Sequence, residues 1–434
     1  MGPSIEFINH AGVLIQCNDV VLVQDPWIDG AAFNNGWDLI APSTFSKSRF
    51  DSITHIWFSH EHPDHFSPPL LREIPKSVRP NITVLFQKTK DRRVVSFCES
   101  LGFLTLELAD HKWVDLGVNT RIFSGRLPLY DSWLMCDFEG YKILNINDCI
   151  LDSKGIMAYI KRRCGPCDVL LTQFAYANWA GNPEDGATQK RLAESVLARI
   201  EMEISVFEPK WLIPFASFIH FSHTENRYLN EHNNSASILY QRLGKESMES
   251  VIMAPGDVWY IGKEWTSNET NLLFYELKRA ESNFFHKSES IPIEKIFQLS
   301  SEYMKRIRGR NNMILISVLQ AFRYFSPICI ELWDVPDCAF TFDLTRGLTM
   351  SKTRSQADVK MHSDSLAFLL KFDYGIDTLL VNGRFRATQA SYKKMLRLFS
   401  LGSLNNGGRF LNFWLIGELK VLWWAIRKLY MKFY

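Results

Sequence analysis

Residues 57–69 read WFSHEHPDHFSPP. His60, His62, Asp64 and His65 fall within six residues, at the end of the apolar run ITHIWFSH (53–60). A spacing of i, i+2, i+4, i+5 cannot line one face of a helix, where neighbours lie three or four residues apart. It suits a loop leaving a strand, where successive side chains converge on one point. Imidazole nitrogen and carboxylate oxygen are ligands for zinc, iron or manganese. The apolar strand supplies a rigid base, and Pro63 stiffens the turn by fixing its φ angle. A lone histidine is usually a packed or surface residue. The pattern HxHxDH behind a strand is far more specific, and it sets the reading of the whole chain.

Working outward, strand patterns dominate the first part. IEFINHAGVLIQ and VVLVQD flank a turn at Asn18 and Asp19. Further strands are expected at 82–87, 120–125, 133–140, 141–148, 168–174, 211–218 and within 251–260, with a helix at 190–204. Interleaved helices and strands point to an α/β class. A boundary is set near residue 265. Beyond it the chain turns charged and helical, then strand-like at 329–335 and 339–345, helical through SDSLAFLLKF, and strand-and-turn through DTLLVNGRF.

The 434 residues allow two or three domains. A net charge of +2, from 49 basic and 47 acidic residues, carries no nucleic-acid signature. Eight scattered cysteines make no disulfide framework, and the single CGPC pair, Cys164 and Cys167, reads as a turn with two thiols. No paired CxH and CxxH set is present, so no Rieske-type cluster is expected. The N-terminus lacks a signal-peptide pattern and no run of 18 uncharged apolar residues exists, so a cytoplasmic location is expected. The tail 409–434 carries Arg409, Lys420, Arg427, Lys428 and Lys432 against Glu418, among many aromatics. It reads either as a docked terminal helix or as an amphipathic helix lying on the inner membrane surface.

HEHPDH resembles the HxHxDH signature of the metallo-β-lactamase superfamily. VVLVQDPWIDGAAFNNGWDL resembles the opening of the CMP-N-acetylneuraminate hydroxylase family and its bacterial relatives. YKILNINDC resembles the strand ending in the bridging aspartate, and PKWLIPFASFIHFSHTENRYLNEHN the segment bringing the last histidine. A more distant likeness is to N-acyl phosphatidylethanolamine phospholipase D. The resemblance covers about residues 5–260 and implies an αββα sandwich with a C-terminal α+β extension. The expected divisions are 1–265 catalytic, 266–408 extension (faintly sterol-carrier-like over 330–400), and 409–434 tail helix.

The same resemblance implies site residues. His60 and His62 would hold one divalent metal ion, Asp64 and His65 a second, with Asp148 between them. His223 would complete the second site, His220 being its competitor. Asp25 would order the active-site loop, and Asp25 and Asp64 are the candidate catalytic carboxylates. The family's further histidine for the first metal has no counterpart. Ser124, Gly125 or Arg126 stands near its place, and Asp131 and His111 are substitutes of equal standing. Arg126 is the candidate anion contact. Tyr176, Asn178 and Trp179 are candidate pocket residues, as alternatives to plain packing.

Three functions follow. Two metals, zinc or iron, can deliver hydroxide to an ester, amide or phosphodiester of a polar, anionic small molecule. This hydrolase reading is placed first because the chain carries no electron-transfer site. The second is a non-haem iron oxygenase for a sugar nucleotide or related precursor, fed by a separate electron donor. The third is a degenerate scaffold.

Overall fold

The computed structural model describes residues 2–127, 131–244, 248–336, 338–351 and 357–412. The tail-helix expectation for 409–434 therefore lies almost wholly outside the described residues. Among these, no helix is long and apolar enough to cross a membrane.

Two seven-stranded sheets face one another. The first runs, edge to edge, through Val258–Tyr260, Ser4–Asn9, Gly12–Cys17, Val20–Gln24, His55–Trp57, Thr83–Gln87 and Leu104–Leu108. The second runs through Glu249–Ser250, Trp211–Phe215, Val169–Gln173, Tyr141–Asn147, Ser132–Phe138, Thr120–Arg126 and Lys112–Gly117. Side chains alternate across a strand, so adjacent apolar residues feed different layers. Leu22 enters the core between the sheets, and Val23 the outer layer under the helices Pro68–Glu73 and Arg93–Leu101. Ile15 and Leu14 divide the same way. The helices Lys154–Cys164 and Gly186–Phe207 cover the second sheet. This is an αββα sandwich, the architecture that the resemblance implies.

The run IEFINHAGVLIQ is not one strand. It folds back at His10 and Ala11, between Ser4–Asn9 and Gly12–Cys17. Leu104–Leu108 and Lys112–Gly117 were not among the expected strands; both are edge strands, and Leu104 and Leu106 remain exposed. The CGPC thiols are buried and unbonded, and burial pushes Cys164 up to about 11.

A second core begins near Ile291. The helix Asn268–Glu281 still packs on the first core through Tyr275. The second core surrounds a five-stranded sheet ordered Gly347–Ser351, Ala339–Asp343, Ile328–Leu332, Val359–Met361, Phe385–Ala387. The expected strand in DTLLVNGRF is corrected: Gly375–Asn382 is a helix. Ile376, Leu379 and Leu380 bury at helical spacing, and Gly383, at φ +64°, ends it.

Glu203 of the helix Gly186–Phe207 is fully buried, and its Oε2 accepts from Thr172 Oγ1 at 2.7 Å. Burial raises its carboxyl to about 7. Between the ordinary carboxylate range and pH 7 the unfolded chain has released a proton that the fold retains, so stability falls as pH rises through that window. Glu203→Gln is expected to stabilise the protein at pH 8, by at most about 3 kcal/mol, and to do little at pH 5. Urea midpoints at the two pH values check this; equal effects at both would remove the titration from the account.

Candidate metal centre

The centre forms where strands of both sheets end. The strand His55–Trp57 runs into Ser59 and His60, and Tyr141–Asn147 delivers Asp148. Asp25 follows Val20–Gln24 with φ +42°, and Asn147 has φ +43°. Left-handed conformations at non-glycine residues are held only where surroundings over-determine them. Here they turn the two strand ends toward one another. Asp148 N–H donates to Asn147 Oδ1 at 2.6 Å.

Asp25 is fully buried and organises the histidines from behind. Its Oδ1 accepts from Ser59 N at 2.8 Å. Its Oδ2 accepts from Ser59 Oγ at 2.6 Å, His65 Nδ1 at 2.9 Å and Asn147 Nδ2 at 3.3 Å. A carboxylate only accepts, so the His65 proton sits on Nδ1 and Nε2 faces the centre. Ser59 has one hydroxyl proton, already given to Asp25, so at 2.9 Å it accepts from His60 Nδ1. His60 Nε2 therefore also presents a lone pair. It lies 2.9 Å from His62 Nδ1, whose ring packs against Phe33. Two nitrogens bound to one cation at about 2.0–2.1 Å sit roughly 3 Å apart.

Asp148 Oδ2 stands 3.4 Å from His65 Nε2 and 3.9 Å from His60 Nε2. Asp64 Oδ2 stands 3.4 Å from His65 Nε2. Buried His65 Nε2, Asp64 Oδ1 and Asp148 Oδ1 have no hydrogen-bond partner among the described residues. Such orphaned polar atoms, all with ligand chemistry, fit divalent cations. Burial opposes charge on both members of the Asp64–His65 pair, but is outweighed. Asp64, Asp148 and Asp25 hold the His65 imidazole well above its ordinary range, and His65 and His10 hold the Asp64 carboxyl well below. A cation entering here displaces the His65 proton, so affinity rises with pH. Two ligand groups lie side by side and share His65: His60, His65 and Asp148; and His10, Asp64 and His65. The residues thus suit two divalent cations. Asp25→Asn, which can no longer only accept at both oxygens, is expected to weaken metal affinity by about 10–100-fold, read by chelator competition. Unchanged affinity would deny Asp25 its orienting role.

The remaining candidates lie elsewhere. His223 is buried, accepts from Glu225 N at 3.2 Å through Nδ1, and lies 3.4 Å from Ser288 Oγ through Nε2. Burial and the Arg384 charge push its imidazole down to about 3. His220 lies on the short strand Ile219–Phe221, and burial lowers it too. Gly125 faces the Trp133 indole, 2.1 Å from where a Cβ would stand. Ser124 Oγ donates to Trp133 O at 3.4 Å. His111 lies 3.6 Å from Asp110 and 3.5 Å from Tyr159 Oη. Buried Asp131 receives Leu127 N on its backbone oxygen. Arg126 is about half exposed, 3.6 Å from Asp110, beside a cleft of about 150 Å³ that Gln87, Lys88 and Ser124 also line. Tyr176 Oη donates to Leu229 O at 2.5 Å. Asn178 is half-buried. Trp179 stacks on Phe385 and Tyr392 of the second core. His10 was not singled out from the sequence. It sits fifty residues before the motif, and a histidine in an apolar hairpin was its only signal.

No family model matches the chain. Among curated proteins it is similar to a cytidine monophosphate-N-acetylneuraminic acid hydroxylase of Danio rerio, 25% identical over 279 residues, 58% of this chain and 44% of that one. It is 28% identical over 251 residues to an inactive protein of the same name from Homo sapiens, covering 53% of this chain and 48% of that one. The chain spans about half the length of these curated relatives. Among solved structures it is similar to CmlA, a diiron β-hydroxylase from Streptomyces venezuelae (TM-score 0.42, 14% identity, 60% of this chain and 54% of that one). It is also similar to an isothiocyanate hydrolase from Delia radicum gut bacteria (TM-score 0.41, 14% identity, 59% of this chain and 98% of that one).

Proposed function

We propose that the chain is a metal-dependent oxygenase that hydroxylates a small molecule, with iron as its working cation. The sequence alone put hydrolysis first; relatives named hydroxylases move oxygenation ahead of it. The observation that carries the reading is the ligand-poor first position. His60 Nε2 and His62 Nδ1 lie 2.9 Å apart, and Asp148 Oδ2 lies 3.9 Å from the former. Two imidazoles and one carboxylate leave coordination positions free, the set associated with non-haem iron oxygenases. The bound cations would supply oxygen activation. Asp25 and Ser59 hold the imidazole tautomers, and buried Phe33 and Trp37 help keep water away.

Hydroxylation inserts one oxygen atom into a C–H bond and reduces the other to water, consuming two electrons and two protons. A separate electron-transfer protein is proposed as their source. The substrate is proposed to carry an anionic group that Arg126 meets at its cleft. Arg126→Gln would then raise KM and leave kcat unchanged; an unchanged KM would remove that contact.

The test is elemental analysis of protein made in cells supplied with both iron and zinc, with visible spectra under nitrogen and air. Bound iron and an air-dependent absorption band are expected. Two zinc ions and no colour would return the reading to hydrolysis. Less than one metal per chain would leave a scaffold.

A further inference from the structure

We infer that His10 is a protein ligand of the second cation, in the place that sequence resemblance assigns to His223. The inference rests on the reading that this centre holds two divalent cations.

His10 is 1% exposed and sits at the tip of the hairpin between Ser4–Asn9 and Gly12–Cys17, with φ +45°. Three hydrogen bonds hold that strained backbone. His10 N donates to Asn9 Oδ1 at 2.9 Å, Asn9 Nδ2 to Ala41 O at 2.8 Å, and Ala216 N to His10 O at 2.7 Å. The ring is walled by Trp27, Trp37 and His65, with centroids at 5.5, 6.5 and 5.8 Å. It points at Asp64: Nε2 lies 3.2 Å from Oδ2. The same Oδ2 is 3.4 Å from His65 Nε2, and ligand atoms of all three residues lie within 4.8 Å of one another. Ligands about 2.0–2.2 Å from one cation lie roughly 3.0–3.5 Å apart.

A second observation is independent of His10. Asp64 Oδ1 and His65 Nε2 are buried without a hydrogen-bond partner among the described residues. Both belong to the residues that His10 faces. His223 makes its contacts with Ser288, Glu225 and Asn226 instead. A strained, fully enclosed histidine aimed at two such residues has the chemistry of a ligand, while the ring of His223 is engaged by Glu225 N and Ser288 Oγ.

The test is zinc content after gel filtration, together with chelator competition, for the wild type, His10→Ala, His10→Gln and His223→Ala. Thermal unfolding in EDTA establishes that each variant folds. Two equivalents are expected for the wild type and for His223→Ala. The His10 variants are expected to keep one, the second being weakened by more than about 100-fold, beyond what loss of a supporting hydrogen bond produces. Two equivalents in the His10 variants, even with affinity reduced tenfold, would make His10 a prop for Asp64 and overturn the assignment. Should neither His10 variant fold, His223→Ala decides: two equivalents support His10, and loss of one overturns it. A wild type that binds no cation would instead bring down the two-metal reading itself.

Discussion

Asp148→Ala is expected to remove at least one cation per chain and to lower turnover by more than about 100-fold, since even supporting groups around a metal are worth 10–100-fold. The position explains the size of the effect. Asp148 follows the strand Tyr141–Asn147, and the left-handed turn at Asn147 aims its carboxylate at His65 and His60. Its oxygen approaches two histidines of the motif, His60 on one side and His65 on the other. Without it, two imidazoles lose the negative charge that balances a divalent cation in a largely buried space, and an uncompensated buried charge is costly. Asp148→Asn keeps the shape and removes the charge, so it separates the two contributions. Elemental analysis of both variants, alongside the wild type, makes the measurement. Unchanged stoichiometry in Asp148→Ala would refute the bridging position.

Arg384→Met is expected to destabilise the protein by about 3–5 kcal/mol, the range for removing one partner of a buried ionic group. Arg384 is 1% exposed. Its Nε donates to Glu225 Oε2 at 3.2 Å, Nη1 to Asn34 O at 2.7 Å and Nη2 to Asp364 Oδ2 at 2.7 Å, with Ser288 Oγ as a further partner. The substitution keeps much of the volume but takes the cation from two carboxylates, leaving Ser288 Oγ to Glu225 and Asn34 Nδ2 to Asp364. Glu225 and Asn34 belong to the first unit, Asp364 and Arg384 to the second, so the two should come apart in stability. A single unfolding transition in the wild type that becomes two in the variant is the expected signature, read by calorimetry. A variant as stable as the wild type would show that water or local rearrangement satisfies the two carboxylates.

The second unit also reaches the metal loop. Glu61, between His60 and His62, pairs with Arg93 at 2.9 Å and accepts from Asn406 Nδ2 at 3.2 Å. The helix Gln389–Asn406 thus touches the residue that separates two ligands. The Phe33–Asn35 turn is tied down likewise, with Asn382 Nδ2 donating to Phe33 O at 3.1 Å. Both contacts restrict segments that carry or cover the centre.

Local sequence determined much of this. HEHPDH announced its own chemistry because its ligands are consecutive on one loop, and short-range geometry converges them whatever the rest of the chain does. The strands at Tyr141–Asn147, Val169–Gln173 and Trp211–Phe215 were legible because both faces are buried and read as apolar runs. The helix Gly375–Asn382 was misread because a short apolar run suits strand or helix equally, and packing arbitrates. What only the tertiary structure decided was which distant groups join the loop. His10 reaches it through a left-handed turn, while Trp179 stacks on the second core and His223 meets Glu225, Asn226 and Ser288. The reason is physical: a ligand set closes in space, through strand ends that meet only when two sheets pack, and spacing along the chain carries no record of that meeting.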